Sequence, residues 1–187
     1  MAIEVKKFGE LINLAWREPR GEKLSVLFMD SEKAWGARRR RLKNEAIEHI
    51  DLYFGADGPH EMTDFAKALD VINNFDCDNL SIIACNAVVL PCLALAPALF
   101  PVSLTIVQPK SCGNLSAYQK IIEKNVSFLK QVPKVKIIYD RNDVLGSRLA
   151  DELNHIVPNL HFLPLGTISE GTLEMIGTPE YLKTVLT

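Results

Sequence analysis

The chain has 187 residues, a formal net charge of −2, 48% hydrophobic residues and 24% charged residues. A chain of this length can bury a core without metal or disulfide staples, so we expect a single domain over residues 1–187. The near-neutral charge argues against a nucleic-acid partner. The start of the chain lacks the apolar stretch of a signal peptide, and no apolar run reaches the roughly 20 residues of a membrane span. We therefore predict a cytoplasmic protein with no membrane span.

The predicted elements alternate between helices and short apolar strands. In chain order they are a helix over 3–16 (within a helical appendage of residues 1–20), a strand over 23–29, a helix over 36–49, a strand over 50–55, a helix over 61–75, a strand over 80–85, a helix over 88–99, a strand over 102–107, a helix over 114–131, a strand over 135–139, a helix over 144–156, a strand over 160–163 and a helix over 170–185. This alternation is typical of a parallel sheet covered on both faces. It predicts a three-layer α/β/α sandwich with a mostly parallel sheet of about six strands.

No residue pattern indicates a metal or an organic cofactor. The four cysteines, at positions 77, 85, 92 and 112, contain no Cys-x-x-Cys pair, and the histidines add no closely spaced ligand pair. Without a secretion signal, the cysteines are expected to be free thiols. Neither a Gly-x-Gly-x-x-Gly motif after a strand nor a P-loop is present. We predict no cofactor and no metal.

The most informative segment is residues 80–99, where an apolar strand runs through small residues directly into an apolar helix. This is the layout of a nucleophile elbow, the sharp strand-to-helix turn that presents a catalytic serine. Here the window is Ala84-Cys85-Asn86-Ala87-Val88, where a hydrolase has Gly-x-Ser-x-Gly. Ligands of such sheets bind outside the carboxyl ends of the strands, so the loops after each strand are the places to look for a site.

From about residue 24 onward the chain resembles a reduced, esterase-like member of the α/β-hydrolase superfamily without its usual leading antiparallel strands. The elbow segment, residues 137–143 (Ile-Ile-Tyr-Asp-Arg-Asn-Asp) and the strand near residue 160 carry the resemblance. It implies that Asp143 matches the acid of the catalytic triad. It also implies a histidine after the last strand, where this chain has Gly166-Thr167-Ile168-Ser169 and no histidine. The site implied by the resemblance is therefore a degenerate one at Cys85, Asn86, Asp143 and Ser169.

Two functions of different classes stay open. The first is a non-catalytic binding or scaffold protein, a pseudoenzyme that takes a small-molecule ligand, a protein partner or a second copy of itself. The alternative is a hydrolase or acyltransferase that uses Cys85 as its nucleophile, since the helix that follows would favour a thiolate. The other interpretation of Cys85 is a small buried side chain at the end of a strand, which is what free cysteines mostly are.

Residues 38–41 are four consecutive arginines. Guanidinium groups bind phosphate and carboxylate oxygens in bidentate fashion, which makes Arg38 and Arg41 candidates for an anion-binding site. The alternative is a solvated helix face whose arginines pair with nearby glutamates.

Overall fold

The computed structural model describes residues 4–8, 12–16, 23–29, 49–54, 79–109 and 115–168, together with residues 66, 69, 70, 72 and 73. The strands in this part of the chain are β1 (Glu4–Phe8), β2 (Ile12–Trp16), β3 (Lys23–Met29), β4 (His49–Phe54), β5 (Asn79–Cys85), β6 (Ser103–Val107), β7 (Lys134–Asp140) and β8 (Leu160–Leu165). The helices whose bounds are described are α1 (Val89–Leu95), α2 (Leu115–Lys124), α3 (Val126–Leu129) and α4 (Val144–Ile156). The described residues 66, 69, 70, 72 and 73 are also helical and lie within the helix predicted over 61–75.

The strands described above form one sheet in the order β1-β2-β4-β3-β5-β6-β7-β8. Strands β3 to β8 run parallel to one another, while β1 pairs antiparallel with β2 and β2 antiparallel with β4. The predicted fold class, an α/β sandwich with a mostly parallel sheet of about six strands, is confirmed. Because β4 and β5 lie on opposite sides of β3, the strand order reverses beside the end of β5, where sheets of this kind bind ligands.

The helix predicted over residues 3–16, and with it the helical appendage of residues 1–20, is wrong where the structure describes this region. Here the chain forms β1 and β2, with Glu4 opposite Trp16 and Phe8 opposite Ile12. The sequence also fits a strand, because Ile12, Leu14 and Trp16 alternate with Asn13 and Ala15. The antiparallel pairing of residues 12–16 with β4 makes this segment a strand and not a helix. The chain therefore has leading antiparallel strands, β1 and β2, which the sequence predicted to be absent.

A continuous hydrophobic core lies on one face of the sheet. Alternate strand residues supply one side of it: Val26, Phe28, Ile82, Ala84, Leu104, Ile106, Val135 and Ile137. The helices supply the other side: Val89, Cys92 and Leu93 of α1, Tyr118 and Ile122 of α2, and Leu149, Ala150 and Leu153 of α4. Burial of each such aliphatic side chain contributes about 1.5–3 kcal/mol to the free energy of folding. The packing therefore holds the ends of the strands and the starts of the helices in fixed positions.

The remaining elements follow the predictions, with local differences that have identifiable causes. Helix α4 has the predicted bounds, whereas the helix predicted over 114–131 is divided at Asn125, whose side-chain Nδ2 donates to the Leu93 carbonyl at 3.0 Å. Helix α1 is shorter than predicted because 3-10 turns flank it and Pro97 cannot continue a helix. Because His49 is the first residue of β4, the helix predicted over 36–49 does not extend to residue 49. The rest of that predicted helix and the one predicted over 170–185 lie outside the described residues. None of the described helices is long and apolar enough to cross a bilayer.

Candidate functional site at the carboxyl edge of the sheet

A sharp strand-to-helix turn follows β5. Asn86 comes directly after the strand, begins the 3-10 turn Asn86–Val88, and has a φ of 57°. Few residues other than glycine adopt this left-handed conformation, and asparagine is among the most tolerant. The residue is only 4% exposed. The turn thus has the geometry expected of an elbow, with a carboxamide at the apex where the hydrolase motif has a serine.

Cys85 is the last residue of β5, one position before the apex, and it is fully buried. A buried thiol among apolar neighbours behaves as a small hydrophobic side chain and is poorly reactive. The other buried thiol that the structure describes, Cys92 in α1, illustrates the effect: burial raises its pKa to about 12, so it is protonated at neutral pH. Burial of Cys85 therefore favours the structural interpretation of this cysteine.

Gln108 takes the equivalent position after β6. Its φ is 43°, and its backbone N–H donates to the Ile138 carbonyl at 2.7 Å. Its side chain reaches the loop after β7: Oε1 accepts a hydrogen bond from the Asp140 backbone N–H at 2.8 Å, and Nε2 donates to Asp143 Oδ2 at 3.3 Å. The strand-end rule places Gln108 in a loop where a ligand is expected, but Gln108 is not among the predicted site residues. The available signal was a glutamine directly after a buried strand, at the edge where ligands bind.

Asp143 is the N-cap of α4. Its Oδ1 accepts from the Leu145 backbone N–H at 3.3 Å, and its Oδ2 accepts from the Gly146 N–H at 3.2 Å in addition to Gln108. Aspartate is favoured at this position because its carboxylate satisfies N–H groups that have no partner within the helix. The half-buried carboxylate is thus held by the start of α4 on one side and by β6 on the other.

The loop after β7 is also tied to the end of β8. The Arg141 backbone N–H donates to the Leu165 carbonyl at 3.0 Å, and Asn142 Nδ2 donates to the Gly166 carbonyl at 3.3 Å. Asn142 is fixed in turn because its backbone N–H donates to Asp140 Oδ1 at 2.9 Å. The carboxyl ends of β6, β7 and β8 are therefore connected by hydrogen bonds into one rim.

The register brings three of the polar residues to this rim. Cys85 pairs with Val107, and Val107 pairs with Ile138, so Asn86 and Gln108 emerge side by side and the loop that carries Asp143 follows from the next strand. Adjacent strands are about 4.8 Å apart. Of the other predicted site residues, Ser169, Arg38 and Arg41 lie outside the described residues.

The histidines of the described part of the chain lie away from this rim. His49 is the first residue of β4, His161 is the second residue of β8, and His155 is in the last turn of α4. These are positions at the opposite end of the strands and helix from the elbow. The described residues contain no group of His, Cys, Asp or Glu side chains arranged to hold a metal ion.

Comparison with known proteins shows similarity of fold and not of sequence. No family model and no curated protein matches the chain. Est1E from Butyrivibrio proteoclasticus (11% identity, TM-score 0.61) and the thioesterase domain from the curacin biosynthetic pathway (12%, 0.63) align over all of both chains. The capsule O-acetyltransferase of Neisseria meningitidis serogroup A (10%, 0.64) aligns over 98% of this chain and 94% of its own. The chain therefore has an α/β-hydrolase-like fold, as its resemblance implied.

Proposed function

We propose that this chain is a non-catalytic α/β-hydrolase-like domain that binds a small-molecule ligand at the carboxyl edge of its sheet. The observation that carries the proposal is Asn86 at the apex of the elbow. A serine there would attack a carbonyl after losing its proton to a base. The nitrogen of a carboxamide shares its lone pair with the carbonyl group and does not act as such a nucleophile. An amide can instead donate to and accept from a ligand.

The surroundings of Asn86 support the same proposal. A serine-hydrolase mechanism needs a histidine base that an acid orients. The resemblance implies that Asp143 is that acid, yet its described hydrogen bonds come from the start of α4 and from Gln108. Within the described residues no histidine follows the carboxyl end of a strand. The described groups at this edge, the side chains of Asn86, Gln108 and Asp143, can form hydrogen bonds, and none of them is a nucleophile paired with a histidine base.

Two measurements on the full chain test the absence of serine-type catalysis. The first is intact-mass analysis after incubation with a fluorophosphonate, which labels activated serines; we expect no adduct. The second is turnover of p-nitrophenyl acetate compared with the Asn86→Ala variant; we expect equal, background rates. An adduct on a single serine, or turnover that Asn86→Ala removes, would contradict the proposal.

The same chain offers a control for the alternative in which Cys85 is the nucleophile. Cys92 is buried and its pKa is raised to about 12, so its reaction with iodoacetamide sets the rate of an inert thiol. We expect Cys85 and Cys92 to react at similar slow rates in the native protein, and both to react quickly in guanidinium. Selective, fast labelling of Cys85 at neutral pH would favour the hydrolase or acyltransferase alternative.

A further inference from the structure

Phe100 is the most exposed large hydrophobic residue that the structure describes, with an exposed fraction of 82%. It lies in the connection between α1 and β6, at the amino edge of the sheet and thus at the opposite end of the strands from the elbow. Its backbone has a φ of 46°, a left-handed conformation that is unfavourable for a bulky side chain. The neighbouring Leu99 packs against the core. The fold therefore gains little from a ring at position 100, although the backbone there is strained.

A second connection, between α3 and β7, lies beside the one that contains Phe100. On the helix side, Asn125 Nδ2 donates to the Leu93 carbonyl at 3.0 Å, which joins the end of α2 to the end of α1. On the sheet side, Ser103 of β6 and Lys134 of β7 are register partners. Because both ends of the two connections are held next to each other, the connections are neighbours at the amino edge.

These two connections contain positive charge and no negative charge. Residues 96–103 are Ala-Pro-Ala-Leu-Phe-Pro-Val-Ser and residues 130–134 are Lys-Gln-Val-Pro-Lys, without an Asp or a Glu. The side chains of Lys130 and Lys134 are exposed. We call Phe100, Lys130 and Lys134 the amino-edge patch. It combines an exposed aromatic ring with two cations in a chain whose formal net charge is −2.

We propose that the amino-edge patch binds the surface of an anionic phospholipid bilayer, with the Phe100 ring inserted at the level of the headgroups. At such an interface an aromatic ring loses contact with water while lysine ammonium groups are attracted by anionic lipids. A single protruding ring needs no shaped cavity in a soft bilayer, whereas a stable protein interface would bury roughly 1,000 Å² in total. The patch lies at the far end of the strands from the elbow, so its role does not depend on the proposed function.

Co-sedimentation of the full chain with vesicles tests the proposal. The probes are vesicles of phosphatidylcholine alone and vesicles of equal parts phosphatidylcholine and phosphatidylserine. We expect binding to the anionic vesicles at about 0.1 M NaCl and loss of this binding at about 1 M NaCl, where the Debye length falls to about 3 Å. No binding to the anionic vesicles, equal binding to both kinds of vesicle, or binding that salt leaves unchanged would overturn the proposal.

Phe100→Gly separates vesicle binding from folding. Glycine adopts a left-handed backbone without strain, so we expect the variant to unfold in urea at about the same concentration as the wild type. Loss of the ring should weaken binding to the anionic vesicles about tenfold. The control is Phe162→Thr, which removes the other exposed phenylalanine of the described residues, in the edge strand β8, and should leave binding unchanged. If Phe100→Gly binds as the wild type does, the ring has no role.

Lys130→Gln and Lys134→Gln test the two charges. Each substitution should weaken binding to the anionic vesicles about fivefold. The control is Arg148→Gln, because Arg148 is an exposed cation in the half of α4 nearer the carboxyl edge, and we expect this variant to bind as the wild type does. Unchanged binding of both lysine variants would refute the role of the charges. If the wild type binds soluble polyglutamate and not the anionic vesicles, the patch recognises an acidic protein and the bilayer proposal is wrong.

Discussion

Replacing Asp143 by alanine tests whether this aspartate is held in the fold as a helix cap. The substitution removes the acceptor of the Leu145 and Gly146 N–H groups, and loss of such an N-cap costs about 1 kcal/mol. It also removes the acceptor of the half-buried Gln108 Nε2, which costs about 1 kcal/mol more. We expect a total loss of about 2 kcal/mol in the free energy of unfolding, or a Tm lower by about 4–8 °C for a chain of this size.

The assay is urea unfolding followed by circular dichroism, together with hydrogen exchange at the Leu145 and Gly146 amides. Asp143→Asn keeps one carbonyl oxygen, so we expect about half the loss and partial amide protection. The matched control is Asp151→Ala, an exposed aspartate within the same helix, for which we expect a change within about 0.5 kcal/mol. Unchanged stability of Asp143→Ala, or unchanged protection of the two amides, would refute the capping argument.

Three further predictions concern the backbone at Gly146, the backbone at Asn86 and the buried side chain of Lys136. Gly146→Ala is expected to destabilise the fold, because the added Cβ would lie 2.9 Å from Tyr139 Cβ. Such overpacking costs about 1–3 kcal/mol, which outweighs the gain of about 1 kcal/mol from the higher helix propensity of alanine. A raised melting temperature would contradict this. The left-handed φ of Asn86 predicts that Asn86→Gly is more stable than Asn86→Ala by about 1 kcal/mol in urea unfolding, and equal stabilities would argue against strain at the apex. Burial, and secondly the positive charge of Lys134, lower the pKa of the Lys136 side chain below its ordinary value of 10.5. Between the lowered pKa and 10.5 the unfolded chain binds more protons than the folded chain, so the free energy of unfolding rises with pH. Lys136→Met should remove this rise. If the free energy of unfolding depends on pH in the same way for the wild type and the variant, the lowered pKa of Lys136 is refuted.

The elements that the sequence predicted well have local signals. The run from Leu80 into the helix after residue 88 combines a short apolar strand with small residues, and the structure has β5, the turn and α1 there. Asp143 directly before an amphipathic stretch is an N-cap signal, and α4 begins at Val144 as predicted. In both cases neighbouring residues in the chain contain the information.

What the sequence did not predict depends on residues far apart in the chain. The segment 12–16 fits either period, and its pairing with β4, which begins at residue 49, makes it a strand. The side chain of Gln108 meets partners 32 and 35 residues later, Asp140 and Asp143. No spacing rule within one element reveals such contacts, because they arise only when β6 and β7 lie side by side.

These contacts also change what Asp143 says about function. The resemblance implies that Asp143 is a triad acid, yet the same carboxylate stabilises α4 and joins it to β6 through Gln108. Losing an aspartate with that structural contribution would cost stability whether or not the protein has an enzymatic activity, so its presence does not distinguish an enzyme from a binding protein. The discriminating position is therefore Asn86. Its left-handed backbone has the geometry of an elbow, and our proposal that the site binds a ligand without reacting with it rests on its carboxamide.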